Sequence, residues 1–395
     1  MSDVPMSDVP MSTGRGPGGT GQRQPPDLGY SEVEQELRAN VRALVAARSP
    51  QSAVLARTES AEPVDTGLWR ALGAELGVTG LAVPEHLGGA GAGWRETAVV
   101  LEELGRATAA VPYLGSCVLA TAALLAVGDT ELLPGVASGE RVAALAVPFA
   151  TAPGAAFPVG VTATGDGLLR GAVGRVADAL TADVLLVPAL TAEGSPGLWA
   201  VRGAAVDPLV SLDMTRPLAD LRFDGVPGRL LARGPDALAA LDAALTTGAA
   251  LLAAEQLGVA EWALETTLGY VRTRHQFGRP VGSFQAVKHR LADLWVAVTQ
   301  LRAVARYAAD TVATGSPDAP VAASVAQAFA SQVAVTAAEE AVQLHGGIGF
   351  TWEHPAHLYL KRAKSASIAL GTADRHRARL AGLVDLPYPV QEQQA

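Results

Sequence analysis

The chain of 395 residues carries 30 Lys and Arg against 39 Asp and Glu, a net charge of −9 at pH 7 with no basic run. That balance argues against nucleic acid or an anionic membrane surface as partner. With 49% hydrophobic and only 17% charged residues, the chain can build two or three domains, and part of its apolar surface is expected to meet another subunit.

Residues 1–28 repeat Met-Ser-Asp-Val-Pro and continue through Gly14, Pro17, Gly18, Gly19 and Pro25, a composition that predicts a disordered tail. From Ser31 the spacing turns helical, with Val33, Leu37, Val41 and Leu44 on one stripe and Trp69, Leu72 and Leu76 on another. A helical domain over 29–140 follows, continuing through Trp94–Leu104 and Ser116–Val127 and punctuated by Pro84, Gly88 to Gly91 and Pro112. Over 141–230 the period shortens to that of strands, in 141–147, 160–164, 184–187 and 198–201, which predicts a β middle domain. Long helices then return over Ala237–Tyr270, Phe284–Thr314 and Pro320–His345, and predict an antiparallel bundle across 231–385 before a short tail, 386–395.

Cys117 stands alone, so neither an internal disulfide nor a multi-cysteine metal site is available. No basic stretch leads into an apolar one at the start, and the expectation is a cytoplasmic protein. The apolar stretches 118–127 and 239–254 are too short, or too often broken by Gly, Thr and Asp, to predict a transmembrane segment.

Two motifs carry chemistry. Arg274-His-Gln276-Phe277-Gly278-Arg-Pro280-Val-Gly-Ser-Phe284-Gln285 sets an arginine where Gly278 and Pro280 end a helix, leaving a planar guanidinium fork free to donate two hydrogen bonds to a diphosphate. Gln343-Leu-His-Gly346-Gly347-Ile-Gly349-Phe350 ends another helix on paired glycines, where backbone N–H groups can approach a ligand that any Cβ would block.

Together the two motifs resemble the FAD-binding signatures of the acyl-CoA dehydrogenase family, over roughly residues 30–385. The resemblance implies a mainly α protein with an N-terminal helical domain, a β-barrel-like middle domain and a C-terminal four-helix bundle, assembling through the bundle as a homodimer or homotetramer. It implies that Arg274, Gln276, Phe277, Phe284, Gln343, Gly346 and Gly347 grip the adenosine and diphosphate half of an FAD held mainly by a neighbouring subunit. Thr372, in Leu370-Gly371-Thr372-Ala373-Asp374, matches the threonine of the family's Glu-Gly-Thr turn beside the flavin phosphates. The implied activity is α,β-dehydrogenation of an acyl thioester, on CoA or a carrier protein, with an electron-transfer acceptor downstream.

Departures from the family pattern concentrate at the reactive end. Leu370 and Gly248 occupy the two positions where the family places its catalytic glutamate, and Asp374 puts a carboxylate near the diphosphate. The family's middle-domain flavin segments are not recognisable in 147–154 or 173–178. Glu255, seven residues beyond Gly248, returns to nearly the same helix face within an apolar stretch and is the expected replacement base, unless a partner subunit supplies one. Pairing of Glu255 with an arginine is the structural alternative.

Two other functions stay open: a half-site subunit of a heteromeric dehydrogenase, as in members acting on steroid side chains, and a non-redox enzyme on the same scaffold. Elsewhere, Glu353-His354 and His357 read as a solvated turn, Lys288 and His289 as an exposed helix face, and Glu102-Glu103 as a helix surface.

Overall fold

The computed structural model describes residues 27–385; apart from Asp27 and Leu28, the expected tails 1–28 and 386–395 lie outside the described residues. Helix α1 (Glu32–Arg48) starts at Ser31, whose Oγ accepts from the Glu34 N–H while the Glu34 carboxylate accepts from the Ser31 N–H, a reciprocal cap. Helices α2 (Gln51–Thr58), α3 (Thr66–Ala74) and α4 (Trp94–Arg106) follow. A wide π-helical stretch, Leu114–Ala120, runs into α5 (Thr121–Val127), and α6 (Leu133–Ala137) completes the first helical domain.

The middle domain is a seven-stranded sheet: β1 (Ala143–Leu145), β2 (Val161–Ala163), β3 (Leu168–Ala177), β4 (Val184–Leu190), β5 (Pro196–Val201), β6 (Ala205–Leu209) and β7 (Leu218–Arg233). Strands β4, β2, β3, β7 and β5 close a ring, because β5 pairs with both β7 and β4. Closure removes most free edges and gives the barrel its own core around Leu169, Trp199, Leu221 and Phe223. Strands β3, β6 and β7 are absent from the sequence reading. Gly171 and Gly174 in β3, and Gly225, Pro227 and Gly228 in β7, read as breakers yet lie within the strands, some of them beside register shifts.

From Gly234 the chain is helical again: α7 (Gly234–Thr273, 40 residues), α8 (Gln285–Ala313, 29 residues), α9 (Ala319–His345, 27 residues), α10 (Ala356–Ala366) and α11 (Ala373–Leu383). Alanine-rich faces let α7, α8 and α9 pack closely, and α4 joins them where Gly258 sits against the Glu102 carbonyl and Gly105 against Glu255, with no room for a Cβ at either glycine. By length and composition alone, Gly234–Thr273 and Ala319–Phe350 could cross a membrane, but 78% and 67% of their apolar windows are buried within the fold. They are core helices here.

Candidate functional site

Helix α7 ends at Thr273, and Arg274 is its C-cap residue. Two short strands follow, β8 (His275–Gln276) and β9 (Arg279–Pro280), joined by Phe277 and Gly278 at φ of 53° and 76°, the left-handed pair a tight hairpin needs. This hairpin projects Phe277 with 90% of its surface exposed, an unusual position for a phenylalanine in a protein with so much apolar core. Phe277 meets Phe284 edge-on at 6.2 Å, and the Arg279 guanidinium lies 3.9 Å over the Phe284 ring. Arg274 is exposed and has no carboxylate partner among the described residues. Gln276 lies along the hairpin, donating to the His275 carbonyl at 2.8 Å.

Helix α9 ends at His345, and Gly346 takes φ of 64°. A Cβ on Gly346 or Gly347 would meet nothing within 4 Å, so Gly347, which has no positive φ, is not required by packing inside the chain. Gln343 is exposed beside them. The two motifs meet in space: the ring of Tyr270, one turn before Arg274, stacks on His345 with centroids 4.5 Å apart. The Arg274 end of α7 and the Gly346-Gly347 end of α9 therefore meet at one corner, with Gln343 on α9 and with Gln276, Phe277 and Phe284 in the segment that follows Arg274.

Thr372 lies elsewhere. It caps α11, accepting from the Arg375 N–H at 3.4 Å, and lines an open groove of ≈ 500 Å³ with Ser331, Gln332, Thr336, Lys364 and Ile368. Gln332 and His345 are thirteen residues apart on α9, about 20 Å at a rise of about 1.5 Å per residue. The Thr372 groove and the Arg274 corner are thus two separate places on one chain. Asp374 is paired with Arg377 at 2.9 Å, which offsets its charge in that groove.

The positions where a catalytic carboxylate was sought face each other. A Cβ on Gly248 would begin 3.0 Å from Leu370 Cδ1 and would collide with Leu119 Cδ2 from the π-helical stretch. Leu119, Gly248 and Leu370 are all buried. The Leu370 N–H donates to the Phe149 carbonyl at 2.7 Å, and a Cβ on Gly371 would sit 2.8 Å from Ala152 Cβ, so the 149–152 segment closes the same space.

Glu255, the expected replacement base, is committed elsewhere. Its Oε2 pairs with Arg216 and its Oε1 with Arg362 at 3.1 Å, all three side chains being buried. Arg362 also binds Asp213 at 2.7 Å and Thr215 Oγ1 at 2.7 Å. Nearby, Asp178 accepts from the Gly115 N–H at 2.9 Å, and burial pushes its carboxyl up to about 6 against the pull of Arg216. This network ties the β domain to α7 and α10. It spends Glu255 on structure, the alternative named for it, because a guanidinium occupies each oxygen.

Two further readings change. Glu102 and Glu103 are buried, not on a surface: Arg38 and Arg42 pair with them, and the Tyr30 hydroxyl donates to Glu102 at 2.5 Å. His354 and His357 are part-buried beside aromatic rings, His354 against His345 at 4.4 Å and His357 against Trp352 at 4.6 Å. Arg362 carries a sequence signal of burial, since it falls in helical phase with Leu358, Tyr359, Ala363 and Ala366. Leu119 carried none, because its role depends on a π-turn.

The corner fits the adenosine and diphosphate half of a flavin nucleotide. It offers a guanidinium with no carboxylate partner among the described residues, an exposed aromatic ring, and the Gly347 backbone open to a ligand. At the reactive end, Leu119, Phe149 and Leu370 pack around Gly248 and Gly371 and leave a Cβ at either glycine in close contact.

The acyl-CoA dehydrogenase N-terminal domain matches residues 31–140 and the acyl-CoA dehydrogenase C-terminal domain residues 238–383. Acyl-CoA dehydrogenase IpdE2 of Mycolicibacterium smegmatis is 38% identical over 351 residues, 89% of this chain and 98% of that protein. The ChsE4-ChsE5 complex from Mycobacterium tuberculosis contains a chain 33% identical with a TM-score of 0.81, covering 92% of this chain and 100% of that one. A chain of a Tcur3481-Tcur3483 steroid ACAD variant is 35% identical with a TM-score of 0.79, covering 90% of this chain and 98% of that one. Members of the matched family bind FAD. On the domains matched, the identity to its relatives and the shared architecture, the chain belongs to the acyl-CoA dehydrogenase family.

Proposed function

We propose that this chain is the half-site subunit of a heteromeric acyl-CoA dehydrogenase that desaturates an acyl thioester. Its Arg274 corner completes a flavin site whose reactive half, catalytic carboxylate included, belongs to the partner subunit. One observation carries this reading: Gly248 and Leu370 offer no carboxylate and are packed against Leu119, while Glu255 is held by Arg216 and Arg362. The two-chain assemblies named for the similar ChsE4-ChsE5 and Tcur3481-Tcur3483 proteins support it.

Removal of the α-proton of a thioester needs a carboxylate within hydrogen-bond reach of that proton. Bound FAD supplies the hydride acceptor for the β-carbon. In this assignment Arg274 and the Gly347 backbone would donate to the diphosphate, the Gly346 N–H being held by the Gln343 carbonyl, and so would fix the cofactor before chemistry begins. Phe277 and Phe284 cover the adenosine side and exclude water.

The test is reconstitution. The isolated chain is expected to give no acyl-thioester-dependent bleaching of flavin absorbance, and addition of a family subunit bearing the glutamate is expected to restore it. Bleaching by the isolated chain would contradict the proposal. The downstream acceptor in this reading is an electron-transfer protein that meets the assembled complex.

A further inference from the structure

A column of five aromatic rings runs beside the last turns of α7 toward the Arg274 corner. Tyr359 on α10 and Trp262 on α7 stack with centroids 3.4 Å apart, and Trp262 meets His354 at 6.5 Å. His354 meets His345 at 4.4 Å, and His345 meets Tyr270 at 4.5 Å.

Each end of the column has a fixed reference. At the far end, the Tyr359 hydroxyl donates to the Arg106 carbonyl at 2.7 Å and accepts from Gln51 Nε2 at 2.9 Å. At the near end, the last two rings stand beside the two halves of the corner: Tyr270 four residues before Arg274, and His345 immediately before Gly346-Gly347.

His345 is the ring whose chemistry the fold alone does not explain. Only 3% of it is exposed, in a position that a leucine or phenylalanine would fill without burying polar atoms. Its Nδ1 lies 2.6 Å from the Ala341 carbonyl, which can only accept, so Nδ1 carries the proton and the bond fixes the ring's rotation relative to α9. The neighbouring His354 accepts the Ala356 N–H on Nδ1 at 3.3 Å, which fixes its tautomer the other way round. A ring held by a hydrogen bond and packed against two other rings keeps its place, whereas an apolar side chain in the same slot could slide.

We propose that this column acts as a ruler and that His345 is a positioning residue, setting the separation between the Arg274 guanidinium and the Gly346-Gly347 backbone. The inference rests on the reading of that corner as the grip on the flavin diphosphate. His345 is buried beneath the corner and acts through Arg274. Its removal therefore shifts the position of Arg274 and leaves the guanidinium itself present.

The experiment measures FAD affinity of the assembled two-chain complex by flavin fluorescence, with thermal unfolding alongside. His345→Ala is expected to weaken FAD by about tenfold, the scale of coupling between residues linked through a backbone shift, here at Tyr270. His345→Phe, which restores a ring without the bond to the Ala341 carbonyl, is expected to recover less than half of that loss. The double variant His345→Ala with Arg274→Ala is expected to bind FAD no more weakly than Arg274→Ala alone. Unchanged affinity in His345→Ala overturns the ruler, as do penalties that simply add in the double variant. Should His345→Ala fail to fold, Tyr270→Leu in the complex replaces it with the same two outcomes. A wild-type complex that retains no FAD refutes the half-site reading itself, a result distinct from either.

Discussion

A side chain on Gly248 would begin 3.0 Å from Cδ1 of Leu370, so the two positions that could hold a catalytic carboxylate look at each other across space filled by leucine. Leu119 occupies the rest of that space. Gly248→Glu is therefore expected to destabilise the fold by about 1–3 kcal/mol through overpacking. Denaturant unfolding should find the Gly248→Glu, Leu119→Ala pair more stable than Gly248→Glu alone. Wild-type stability in Gly248→Glu would mean the hollow is open.

Arg362 is 2% exposed and holds both Glu255 and Asp213. Arg362→Met leaves those two carboxylates buried with less compensation, and a loss of about 3–5 kcal/mol is expected in equilibrium unfolding. Glu255→Gln, in the assembled complex, is expected to change kcat by less than about threefold provided the protein folds, whereas a general base contributes about a hundredfold or more. A loss of that size would return Glu255 to the chemistry.

Glu102 supplies a pH signature. Burial, reinforced by the charge of Glu261 and opposed by Arg38, pushes its carboxyl from 4.5 up to about 7. The folded state thus keeps a proton that the unfolded chain releases. The stabilisation is fully present below 4.5 and is lost as pH rises through about 7. Glu102→Gln is expected to flatten the stability profile between those values, and an unchanged slope would show that Glu102 does not carry it.

Arg274 makes no ion pair among the described residues and Gly347 has open space around its Cα. Arg274→Ala and Gly347→Ala are expected to shift stability by less than about 0.5 kcal/mol, as for ordinary surface changes. Both are expected to strip flavin from the complex during gel filtration. Retention of flavin by both variants would move the diphosphate grip away from this corner.

Much of this architecture was legible in the residues. The helical stripes, the shift to strand periodicity and the glycine stops at Gly278 and Gly346 are local signals, and each corresponds to an element boundary or turn. Strand β7 was missed because Gly225, Pro227 and Gly228 mask the alternation of buried Ala219, Leu221 and Phe223. The two helix ends at Thr273 and His345 were legible because glycines follow each of them closely. What was not legible depends on pairing across distance. Glu255 sits in an apolar run, and only the fold shows that Arg216 and Arg362, 39 and 107 residues away, meet it. Thr372 matched a motif, yet its place about 20 Å along α9 from the corner follows only from how α11 docks.

The most direct test of the half-site account is a structure of the two-chain complex with FAD bound. The account predicts the Arg274 guanidinium within hydrogen-bond distance of the diphosphate of a flavin whose ring system rests on the partner, beside the partner's carboxylate. A flavin whose rings lie over this chain's own Leu370 and Gly371, with Arg274 remote from the diphosphate, would contradict it.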